Sequence, residues 1–230
     1  MIGIIAAMEK EMAGIEAVIE NKKEELVSGI KFVSGTVCHK EVVCAVCGIG
    51  KVFAAICCEA MIIKYNPDVI INTGVAGTLT EKLSIADVAI STGLVQHDMD
   101  TSFLGDPVGL ISGINVVEFK ADEKVADVIA KAVEELNINY VKGVIASGDQ
   151  FIADKGVKQK IIDNFGAVAC EMEGGSMAQV CYVNNIPFCA IRSISDTADG
   201  DPDMAYVDFL EIAAKNSIAL TLKFIDKYVK

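Results

Sequence analysis

Glu171 and Glu173 flank a methionine in the stretch CEMEGGSMAQVC, residues 170–181, whose other members are mostly apolar or small. Desolvating an unpaired carboxylate costs on the order of several kcal/mol, a large part of a domain's stability. Two acids in such a setting either face water or bind something. Glu11 in AMEKEM and Asp196 in IRSISD are placed in the same way, where an apolar run stops, and Arg192 lies four residues before Asp196. Singly, such acids are more often surface or capping residues. Together they suit a ligand rich in hydroxyl groups and a reaction passing through positive charge, such as an oxocarbenium-like sugar. They suit a phosphorylated ligand poorly.

Other motifs are weaker. GIGKV lacks the first glycine of a phosphate loop, since that position is Ala45, and Val52 replaces the hydroxyl residue after Lys51. NTGVAGT places glycines where a ligand could approach the backbone, or where the chain merely turns. His97, Asp98 and Asp100 in QHDMD resemble metal ligands, but with two histidines in the chain and no second cluster a solvated loop is the better reading. Cys44 and Cys47 lie in a β-branched run, where residues three apart face opposite sides and cannot share a metal. The adjacent Cys57 and Cys58 read as helix packing, and all eight cysteines as reduced thiols.

These residues need a scaffold. Val/Ile-rich runs at 2–7, 30–37, 41–47, 68–73, 86–92, 141–147, 167–171 and 187–194 predict strands. Helical periodicity marks 50–64, 122–135, 155–164, 174–185 and 205–228. Their alternation predicts an α/β fold with a mostly parallel sheet, made mixed by a hairpin at CHKE. Ligands in such folds lie beyond the carboxyl ends of the strands, which is where AMEKE, NTGVAGT, SGDQFI, EMEGG and SISDTAD fall.

The 230 residues show no composition break, so a single domain spanning 1–230 is expected. A formal charge of −12 argues against a nucleic-acid partner but not against a nucleoside. The absence of a long apolar segment and of a signal-like N-terminus predicts a soluble, cytoplasmic protein without a membrane partner. A hydrophobic content of 52% leaves apolar surface for a subunit interface.

GIIAAMEKEM, GIGKVFAA, PDVIINTGVAG, ASGDQFI, CEMEG and IRSISDTAD resemble, in order and spacing, the 5′-methylthioadenosine/S-adenosylhomocysteine nucleosidases of the purine nucleoside phosphorylase and uridine phosphorylase superfamily. The resemblance implies a homodimer with a three-layer α/β/α sandwich and a central mixed, mostly parallel sheet. It also implies hydrolysis of the bond between adenine and a thio-substituted ribose, or that of 5′-deoxyadenosine, with no metal or organic cofactor.

By that likeness Glu11 activates the attacking water and Asp196 protonates the imidazole ring of the leaving purine. Glu173 holds the ribose hydroxyls, with Met172 against the sugar. Phe151 stacks on adenine and Ile152 bonds its edge through the main chain. Met8, Tyr206 and Arg192 line the thioalkyl and ribose region, and Ser195 and Gly77 complete the binding set. The two-residue spacing on a strand would let Glu171 and Glu173 border one pocket.

Two departures stand out. Val75 replaces a serine common in the family, and the loop around Phe103, which would reach the partner's thioalkyl pocket, differs in length. The alternatives are hydrolysis of 6-amino-6-deoxyfutalosine, a phosphorolytic relative, and a non-catalytic nucleoside-binding module.

Overall fold

The computed structural model describes residues 1–198 and 206–229, without the side chains of residues 206–208. In chain order the described elements are β1 (Ile2–Ala6), α1 (Glu9–Ala17), β2 (Glu20–Val27), β3 (Ile30–Val37), β4 (Lys40–Val46), α2 (Lys51–Tyr65), β5 (Val69–Thr78) and β6 (Val88–Gln96). A short 3-10 turn (Ser102–Leu104) follows. Then come β7 (Glu118–Lys120), α3 (Glu123–Glu135), β8 (Tyr140–Ser147), α4 (Lys155–Phe165), β9 (Ala169–Glu171), α5 (Gly174–Asn184), β10 (Phe188–Asp196) and α6 (Tyr206–Lys227).

All ten strands join one sheet. Parallel pairings connect β4, β1, β5 and β10, and also β6, β8 and β9. Antiparallel joins of β10 to β6 and β5 to β9 fold the second group back onto the first, so β5, β10, β6, β8 and β9 close a ring. Helices α2 and α5 cover one face through Cys57, Cys58, Met61, Met177 and Cys181. On the other face, α1, α3 and α6 pack through Met12, Ile15, Ile129, Val133 and Phe224. The result is the expected α/β/α sandwich with a mixed sheet.

Each apolar run predicted as a strand contributes to one. The hairpin at CHKE is a two-residue turn in which Cys38 and His39 both have positive φ, 49° and 62°, the geometry that matches the twist of paired strands. Cys44 and Cys47 pack into opposite layers, as strand alternation requires. Three elements escaped the periodicity reading. β2 is an edge strand, ENKKEELV, whose charges mask its β-character and protect an exposed edge from pairing with other chains. α1 buries only Glu11, Met12 and Ile15, which is too little apolar content to register, and β7 is only three residues long.

Candidate active site

The carboxyl ends of β1, β5, β8, β9 and β10 surround one cavity. Met8 and Glu11 enter it from the start of α1, Gly77 from β5 and Phe151 from the loop after β8. Met172 and Glu173 border it from the β9–α5 junction, and Ser195 and Asp196 from the end of β10. Phe151 stands at its mouth, 59% exposed. Ile152 is buried beside Ile161 and Leu79, and Arg192 lies behind the cavity wall. The side chain of Tyr206 lies outside the described residues.

Glu11 is held by the backbone. As the third residue of α1 it reaches back over the helix start, and its Oε2 accepts from the amides of Ala7 (3.1 Å) and Met8 (2.9 Å). Its Oε1 accepts from the amide of Val75 at 3.0 Å. Burial pushes its carboxyl above the usual range, opposed by Arg192 and by these three amides. A Cβ on Gly74 would come within 2.6 Å of Glu11 Oε1, and one on Gly77 within 2.6 Å of Asp196 Oδ1. The glycines of NTGVAGT are therefore spaces for two carboxylates within a strand, rather than turn residues.

Asp196 has a different setting. Its Oδ2 accepts from the Ser195 hydroxyl at 2.9 Å and its Oδ1 from the Ala198 amide at 3.0 Å. The pairing of β10 with β5 shifts register between Ile194 and Asp196, and this sets Asp196 opposite Gly77.

Glu171 and Glu173 do not share a strand face. β9 ends at Glu171, and Glu173 is the N-cap residue immediately before α5. Glu171 is bound by the Arg192 guanidinium, the Ser147 hydroxyl and the amides of Glu173 and Gly174. Burial opposes its ionisation, but these donors, Arg192 foremost, outweigh that and hold it below the usual range. Arg192 also bonds the side chain of Asn72, which donates to the Ile5 carbonyl at 3.0 Å. Glu171 and Glu173 both border the cavity, as expected, but Glu171 is tied up in a fixed, neutral pair with Arg192 behind it. The sequence reading did not single out Asn72 or Ser147. Their signal is a polar residue inside or at the end of an otherwise apolar strand.

Glu173 is the freer acid. The Gly50 amide donates to its Oε1 at 2.9 Å, and burial, then the neighbouring Glu171 charge, push its carboxyl up to about 7. Between its ordinary value of 4.5 and about 7, the folded protein holds a proton that the unfolded chain releases. Stability from this group is therefore complete below about 4.5 and is lost as pH rises through about 7. Glu173→Gln is expected to flatten the fall in melting temperature across that window. A slope equal to that of the parent protein would contradict the assignment.

The QHDMD segment is not a solvated loop. Asp98 pairs with Lys51 Nζ at 2.6 Å, and no group of three or more His, Cys, Asp or Glu among the described residues could hold a metal. No described helix is long and apolar enough to cross a membrane.

Residues 1–226 match the family model of the phosphorylase superfamily. A 5′-methylthioadenosine/S-adenosylhomocysteine nucleosidase of Staphylococcus carnosus strain TM300 is 38% identical over 226 residues, covering 98% of this chain and 99% of the relative. The crystal structure of the corresponding nucleosidase from Neisseria meningitidis, in complex with methylthio-immucillin-A, superposes with a TM-score of 0.94 at 31% identity over 99% of both chains. The native structure of futalosine hydrolase of Helicobacter pylori strain 26695 gives 0.93 at 35% identity, over 99% of this chain and 97% of that one.

Proposed function

Because the chain belongs to the phosphorylase superfamily and, within it, to the 5′-methylthioadenosine/S-adenosylhomocysteine nucleosidases, we propose that it hydrolyses the N-glycosidic bond of these two thioethers as a single cytoplasmic domain. The products are adenine and the thioribose. The observation that carries the reading is the state of Glu11. The amides of Ala7, Met8 and Val75, which could otherwise cradle an anion, already donate to its carboxylate. A phosphate would meet a negative charge there, whereas water meets a base.

Glu11 takes a proton from water as the water attacks the sugar carbon. Asp196 gives a proton to the imidazole ring of adenine as the glycosidic bond breaks, and solvent later returns the proton from one acid to the other. Glu173 accepts from the ribose hydroxyls, and Phe151 at the mouth stacks on the base. Val75 lines the water side without a hydroxyl, so positioning of the water falls to Glu11 and the groups behind it.

The active form is a homodimer. Val52, Phe53, Ile56 and Ile63 on α2, Tyr182 and Val183 on α5, and Phe103 and Leu104 in the 3-10 turn are exposed apolar side chains, a pattern that suits an interface. In the dimer the Phe103 turn covers the thioalkyl end of the partner's cavity.

The likeness to futalosine hydrolase supports a second reading, in which 6-amino-6-deoxyfutalosine is also cleaved, since only the substituent beyond the 5′ carbon differs. The test is release of the free purine base, adenine from 5′-methylthioadenosine, S-adenosylhomocysteine and 6-amino-6-deoxyfutalosine and hypoxanthine from inosine, with and without phosphate. Phosphate-independent release from the thioethers, with inosine intact, is expected. A requirement for phosphate would overturn hydrolysis, release from aminofutalosine as well as the thioethers would establish the second reading, and release from aminofutalosine alone would overturn the thioether assignment.

A further inference from the structure

Two adjacent amides at the N-terminus of α2 hold carboxylates from opposite sides of the site. The Gly50 amide donates to Glu173 Oε1 at 2.9 Å, and the Lys51 amide donates to Asp149 Oδ1 at 2.8 Å. Asp149 opens the loop that carries Phe151 and Ile152. Its own amide donates to Asp98 Oδ2 at 2.9 Å, and the other oxygen of Asp98 accepts from Lys51 Nζ at 2.6 Å. Lys51, Asp98 and Asp149 thus form a closed triangle in which each is bonded to the other two. Lys51 Nζ also donates to Gln96 at 3.3 Å, and Gln96 reaches Gln179 on α5 at 2.7 Å. Asp98 begins the segment leading to Phe103.

The side chains of Lys51 and Asp98 are 17% and 18% exposed, so the pair is shielded enough to resist the screening that weakens surface ion pairs. Burial opposes the ionisation of Asp98, but the Lys51 ammonium and the Asp149 amide outweigh it and keep Asp98 charged. Helix N-termini favour negative charge. Here the favoured charges belong to the protein itself, Glu173 and Asp149.

Resting on the nucleosidase reading for what these segments touch, we propose that Lys51 and Asp98 are positioning residues. They lock the purine-side loop to the ribose-side carboxylate through the start of α2, so that both halves of the nucleoside site are set by one rigid element. A helix start that shifts moves Glu173 and Phe151 together.

Asp98→Asn keeps shape and can still accept from the Asp149 amide, but loses the charge that holds Lys51. A hydrogen bond to a charged group is worth enough to change binding by about tenfold or more. The expected result is a KM for 5′-methylthioadenosine raised by about that factor with a smaller change in kcat, and inhibition by free adenine weakened in parallel. Lys51→Met should do the same, Lys51→Arg should restore most of it, and the Lys51→Met/Asp98→Asn double variant should add little to either single one. If Lys51→Met does not fold, Asp98→Asn alone decides. A lower melting temperature with KM and adenine inhibition unchanged would reduce the triangle to a structural clamp and overturn the proposal. A parent protein that neither releases nor binds adenine would overturn this proposal and the nucleosidase reading together, whereas an active parent with variants of unchanged KM overturns this one alone.

Discussion

Asp196→Asn is expected to lower adenine release from 5′-methylthioadenosine by about 10²–10⁴-fold, the range of a positioned general acid, while an unreactive analogue still binds within about tenfold. Adenine is a poor leaving group until its imidazole ring is protonated, so removing the proton donor raises the barrier for bond cleavage and not the cost of binding. The surroundings of Asp196 tolerate the change. The side-chain oxygen of asparagine can keep the Ala198 amide, 3.0 Å away. Its NH2 then faces the Ser195 hydroxyl, which can accept as readily as it donates. The gap over Gly77 accommodates either side chain, because the two have nearly the same volume. Melting temperature should therefore hold while turnover falls, measured by adenine release and by calorimetric binding. A variant with turnover close to the parent would remove Asp196 from the chemistry.

The sheet was legible because buried parallel strands read as continuous Val/Ile runs. Each carboxylate was legible because it interrupts such a run at its carboxyl end. What sequence alone did not carry is the pairing among those acids. Glu171 and Glu173 look equivalent in CEMEGG, yet a break in the chain direction at Met172 sends them to different tasks. Glu171 is neutralised by Arg192 and fixed by Ser147, whereas Glu173 faces the cavity with Gly50 as its backbone donor. That separation depends on where β9 stops and α5 starts, a boundary that periodicity cannot place within a residue or two. The Lys51 triangle was hidden for a related reason. Its members come from segments near residues 51, 98 and 149, far apart in the chain: the parallel pairing of β6 with β8 sets Asp98 beside Asp149, and Lys51 reaches them from the start of α2.

Gly74 and Gly77 make a similar point about backbone. Spaced three apart in NTGVAGT, they look like turn chemistry, but β5 runs straight through both. Their missing side chains let Glu11 and Asp196 lie against the strand, which fixes two acids in one cavity without a dedicated loop for either.

Glu11→Gln should be as inactive as Asp196→Asn but distinguishable from it in stability. Glu11 accepts from three backbone amides, two on Oε2 and one on Oε1, and glutamine has only one accepting oxygen. If that oxygen keeps Ala7 and Met8, the NH2 group meets the Val75 amide, 3.0 Å from the present oxygen, donor against donor. Glu11 is 2% exposed, so solvent in the cavity relieves little of the conflict, and the unmet donors cost about 1–3 kcal/mol. For a chain of this length each kcal/mol corresponds to about 2–4 °C, so a melting temperature lower by several degrees is expected, with the fold retained at assay temperature. Loss of the base removes about 10²–10⁴-fold in turnover, because glutamine cannot take the proton from water. Binding of the unreactive analogue should persist, since the ribose hydroxyls and the purine are held by Glu173 and the Phe151 loop. Turnover near the parent level would show that water is activated elsewhere. A stable, inactive variant with an unchanged melting temperature would keep Glu11 as the base but contradict the three-amide cradle that holds it.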